Sequence, residues 1–132
     1  MQLAKNKISD KNNWTQSTWS RDIENNIVED PRNPTACKWC ATGSVLSTAD
    51  CDKPLENQKE HLKVISMLGY VASRIFPEKW YSIEPGYACY KNMVVALNDE
   101  LGYEAVMTIF QITQDVLEGK RSDLDLDFIK NC

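Results

Sequence analysis

The chain of 132 residues has one histidine, five glycines and no long apolar run, and each shortage closes off a class of chemistry. Any histidine-dependent catalysis has to use His61. Nucleophilic catalysis by serine or cysteine needs an oriented base beside the nucleophile, and no G-x-S-x-G elbow or comparable arrangement occurs. The glycines at 43, 69, 86, 102 and 119 are isolated, so none of the common phosphate-cradling loops is present. No stretch approaches the ~18 apolar residues that cross a bilayer. The first residues, MQLAKNKISDKNNW, also lack the apolar core of about seven residues that marks a secretory signal. A soluble, cytoplasmic protein without a membrane partner is expected.

Charge excess is missing too. The 15 basic and 19 acidic residues leave a net charge of -4 and a pI near 5.0. The basic residues are scattered among acids instead of gathered on one face, which argues against a nucleic-acid partner. Charged residues at 26% and apolar residues at 42% describe an ordinary globule, long enough to bury roughly 65 to 70% of its unfolded surface. No repeat or Pro/Gly/Ser linker interrupts it, so residues 1–132 are expected to form one domain, with 1–12 as a short helix or arm and 120–132 as a peripheral tail. Five cysteines cannot pair completely, and free thiols suit a reducing compartment. A coordinated metal is the competing explanation.

What is there reads as mainly α: about four principal helices with a short β-hairpin near the N-terminus. The segment from Trp14 to Pro34 predicts the hairpin, its turn near Glu24 to Asn26, where asparagine tolerates positive φ. Thr35 is a plausible cap for a helix whose stripe is Ala36, Trp39, Cys40, Gly43 and Leu46. Gly43 there costs about 1 kcal/mol relative to alanine, a cost usually met where another element approaches closely. A long helix is expected from Pro54 to Phe76, with Leu62, Ile65, Leu68, Ala72, Ile75 and Phe76 inward. Residues 88–98 are apolar almost all round and predict the most buried helix. Beyond the turn at Asn98 to Gly102, the last helix has Tyr103, Val106, Phe110, Thr113 and Leu117 as its stripe and Gly119 as its end. The expected core is Trp39, Cys40, Leu46, Leu62, Ile65, Leu68, Met93, Val94, Leu97, Val106 and Phe110.

Arg21-Asp22, Trp39-Cys40-Ala41-x-Gly43, Asn98-Asp99 and Gly102-Tyr103-Glu104-x-Val106 fall in an order that resembles an uncharacterised bacterial and phage family, domain of unknown function number 6197. In that family a polar hairpin with an Arg-Asp pair leads to a Trp-Cys-Ala-x-Gly helix, and a later Asn-Asp turn with glycine opens a final amphipathic helix. The likeness covers residues 14 to 117. It departs in the Lys/Glu-rich third helix, in the tail after Gly119 and in Cys37, which the motif does not require. No activity is established for the family, so the resemblance implies a fold more than a function.

Three sets of residues could carry chemistry. Cys37, Cys40, Cys51 and His61 are ligand types that suit tetrahedral zinc, although their spacing is not that of a zinc ribbon. The competing reading makes Cys40 a small buried hydrophobe within its stripe and His61 a hydrogen-bonded core or rim residue. Arg21, Asp22 and Asp99 could line a cleft and do acid and base work, but short polar side chains at a helix end are also what turns and caps require. Trp80, Tyr81 and Tyr87, in a Pro- and Gly-containing loop, suit partner contacts. With no cofactor, nucleophile system or basic groove in view, the expectation is a small non-enzymatic protein-binding or inhibitory module, for which a phage-encoded inhibitor of a host protein fits the size and charge. The alternatives are a metal-dependent or carboxylate-based hydrolase, and a protein that sequesters a small ligand such as a nucleotide in a pocket rimmed by Arg21, Trp80 and Asp99.

Overall fold

A computed structural model of the chain describes residues 1–76 and 91–126. In order they form α1 (Gln2–Lys7), a 3₁₀ turn (Lys11–Asn13), β1 (Ser20–Arg21), β2 (Lys38–Trp39), α2 (Ala41–Leu46), a second 3₁₀ turn (Leu55–Asn57), α3 (Lys59–Ile75), α4 (Lys91–Glu100) and α5 (Tyr103–Leu117). The architecture is mainly helical with one small antiparallel strand pair near the N-terminus, as the sequence predicts.

The helical periods place the core. Ile65, Leu68, Val71 and Ala72 of α3, Met93, Val94 and Leu97 of α4, and Val106, Ile109 and Phe110 of α5 are all buried. They join Ala4 and Ile8 from the N-terminus, Val45 and Leu46 of α2, and Leu124 and Leu126 after α5 in one continuous cluster. The arm expected at the N-terminus is thus docked, and the Tyr103 hydroxyl holds it by lying 2.7 Å from the carbonyls of Ile8 and Ser9. Of the expected core, Trp39 and Leu62 are only partly buried; Leu117, placed in the stripe of the last helix, is half exposed at the end of α5.

Two element boundaries and one helix face differ from the sequence reading, each for a physical reason. The helix expected from Ala36 starts only at Ala41, because the preceding residues pair with β1: Ser20 faces Trp39 and Arg21 faces Lys38. The Cys37 amide donates to the Arg21 carbonyl (2.9 Å) and the Cys40 amide to the Trp19 carbonyl (3.1 Å). Thr35 is therefore no helix cap; its amide is held by the Asn33 side chain at 2.9 Å. Pro54 precedes a 3₁₀ turn, and α3 begins at Lys59 because Gln58 is non-helical and its side-chain amide ties down the Asp50 carbonyl at 2.9 Å. Finally, α4 is not buried all round: Val95 is 43% exposed.

The turn of the N-terminal hairpin sits where expected. Asn25 has φ 69°, the Asp22 amide donates to the Asn26 carbonyl (2.9 Å), and Arg21 bridges to Ile27. The full strand partner of β1 is nevertheless β2. Gly43, on the next turn of chain, meets the close approach that its helix cost suggests: a Cβ there would lie 1.9 Å from the Trp19 carbonyl oxygen.

Candidate functional site

Asn98 is the centre of the polar structure. It faces inward from the last turn of α4 and is 1% exposed. Its Oδ1 accepts from the Trp14 indole Nε1 (2.8 Å) and from the Ala41 amide (2.9 Å), while its Nδ2 donates to the Thr15 carbonyl (3.1 Å) and to Asp99 Oδ1 (3.1 Å). All four hydrogen-bonding positions of the amide are filled. One of those bonds satisfies an orphan donor at the start of α2. The next donors are met by Cys40, the N-cap, whose Sγ accepts from the Gly43 amide at 3.2 Å. The Trp39–Gly43 and Asn98–Gly102 stretches thus meet at this point.

Asp99 and the residues expected beside it have separate tasks. Asp99 Oδ1 accepts from the Ser17 amide at 2.9 Å, holding a residue with φ 70°. Asp22 Oδ1 accepts from the amides of Glu24 and Asn26, each at 2.9 Å, which is the local turn-capping of a short carboxylate. Arg21 donates through Nε to Thr15 Oγ1 (2.9 Å) and through a terminal nitrogen to the Asn25 carbonyl (3.1 Å). Asp99 lines a cavity of about 150 Å³ with Ser17, Thr18, Trp19, Cys40, Val95 and Asn98.

The four possible zinc ligands are dispersed. Cys37 is half-buried beside β2, Cys40 is buried, and Cys51 is exposed in the loop before α3. His61 lines a dent of about 130 Å³ with Met1, Ala4, Val45, Thr48, Glu60 and Val64. Among the described residues no three His, Cys, Asp or Glu side chains converge in a group that could hold a metal ion. Burial pushes the Cys40 thiol up to about 11, against the opposing pull of the Gly43 and Thr42 amides, so at neutral pH it is a protonated cap and not a nucleophile. Trp80, Tyr81 and Tyr87 lie outside the described residues.

The feature that sequence reasoning missed is an apolar groove of about 410 Å³. Its walls come from β1's approach (Trp19), α2 (Thr42, Leu46), the second 3₁₀ turn (Leu55), α3 (Leu62, Ile65) and the open face of α4 (Val95), and Glu56, Lys91 and Asn92 complete the lining. Trp19 and Val95 remain 39% and 43% exposed. In the wall, Thr42 is 6% exposed, and its Oγ1 makes no hydrogen bond among the described residues. The reason is positional: Thr42 is the second residue of α2, so the carbonyls three and four residues back belong to β2 instead of to a preceding helical turn. The only sequence clue to the groove was Val95, an apolar residue on a helix too apolar to reveal which side faced out.

Comparison with known proteins yields no match to a family model, a curated protein or a solved structure. Among the described residues no helix is long and apolar enough to cross a membrane.

Proposed function

We propose that this chain is a non-catalytic protein-binding module and that the groove between α2, α3 and α4 is its docking surface. The groove carries the reading: a half-exposed tryptophan and an exposed valine stand over a concave apolar wall of about 410 Å³, the kind of place where an aromatic or aliphatic anchor of a partner is desolvated. The polar machinery beside it is already engaged in holding the chain together, with Asn98 saturated and the Cys40 thiol protonated. Inhibition of the bound partner belongs to the same proposal. A nucleotide is a poorer occupant, because Lys91 is the only cation among the described residues that line the groove and phosphates need several donors.

Selection of a displayed peptide library on the folded protein tests this. Enriched peptides are expected to share a large apolar residue and to bind a Val95→Glu variant at least ten-fold more weakly. Val95 is exposed, so that variant keeps its fold, which amide NMR spectra verify. A selection that enriches no sequence, or peptides that bind both proteins equally, overturns the proposal.

A further inference from the structure

The groove does not end at its apolar wall. Trp19 and Val95 line both the 410 Å³ groove and the 150 Å³ cavity that contains Asp99, so the two adjoin across these side chains and give the trough an apolar end and a polar end. At the apolar end the charged lining residues are Glu56 and Lys91, one of each sign. At the polar end Asp99 is the one charged residue among the described residues of the lining. We infer that the segment docking in this trough carries a basic side chain near its apolar anchor, and that Asp99 selects it. The inference rests on the groove being the docking surface.

Two observations support that occupant. The Asp99 carboxylate is already oriented by the Ser17 amide and by Asn98 Nδ2 through one of its oxygens. Pairing with an incoming ammonium or guanidinium therefore orders little on this side of the interface. The net charge of -4 gives the whole molecule a field that favours a basic partner.

Three N-acetylated peptide amides test the inference, each with a tryptophan followed two residues later by lysine, norleucine or glutamate, titrated against the folded protein by amide NMR. The lysine peptide is expected to bind about two- to five-fold more tightly than the norleucine peptide, as a partly exposed ion pair allows, and the glutamate peptide more weakly still. The ranking should collapse in about 0.5 M salt, where exposed charges are screened. In Asp99→Asn, which keeps an acceptor for the Ser17 amide, the three peptides should bind alike. Shifts at Trp19, Leu62 and Val95 with equal affinity for all three peptides overturn the role of Asp99 and leave the docking surface standing. If no peptide shifts those residues, the docking surface fails, and this inference with it.

Discussion

Replacing Asn98 by alanine strands the Trp14 indole N–H, the Ala41 amide and the Thr15 carbonyl. Buried polar groups left without partners cost far more than the net worth of the bonds they made, so a loss of about 2 to 4 kcal/mol is expected in urea unfolding. Asn98→Asp keeps both acceptor roles but sets a second carboxylate against Asp99, so it should recover stability on mild acidification. Thr42 has the opposite sign. Its Oγ1 is buried with no partner among the described residues, and Thr42→Val should raise stability by about 1 kcal/mol by removing that burden. The Asn-Asp pair was legible in the sequence as a turn former and no more. What made Asn98 central is a set of partners 57 to 84 residues away, which no local pattern encodes. Cys40 was legible as buried, 5% exposed, but its role as a cap depended on where α2 would start.

Helix boundaries and faces carried a mixed signal. The stripes of α3 and α5 were readable because each repeats over 15 residues or more, and long periodicity outweighs local noise. The start of α2 was not. Ala36, Trp39 and Cys40 fit a helical spacing, yet the backbone bonds offered by β1 won, since two antiparallel residues satisfy groups that a short helix would have left open at its end. On α4, an apolar sequence on every side erased the contrast that would have marked Val95 as outward. Gly43 offers a test whose sign decides between two accounts. Were it only a poor helix former, Gly43→Ala would stabilise by about 1 kcal/mol. A Cβ 1.9 Å from the Trp19 carbonyl oxygen must instead push β1 away from α2, and that oxygen cannot yield without losing its bond from the Cys40 amide. A loss of about 3 kcal/mol is expected from thermal or urea denaturation.

Across the whole molecule, Arg32 joins the loop that carries it to the loop before α3. It forks onto Asp30 (3.0 and 2.8 Å) and donates to the carbonyls of Asp50 (2.5 Å) and Lys53 (2.6 Å). Hydrogen bonding from Arg32 holds the Asp30 carboxyl below its ordinary 3.8. Because the folded value lies below the unfolded one, this contribution is present at neutral pH and is lost only as pH falls from 3.8 through the lower folded value. Melting curves should therefore show Arg32→Gln below the wild type at neutral pH, with the gap narrowing under acid. It should not close, because the carbonyl bonds of Arg32 survive protonation of Asp30. The order in which the chain is made adds a further consequence. The Ala41 amide waits for an oxygen on residue 98, 57 positions downstream, which at ordinary ribosome speeds is roughly 3 to 11 s. Through that interval the Trp14 indole N–H and the Ala41 amide lack the oxygen that both bind in the folded chain, so this protein's first third is the part a chaperone would meet.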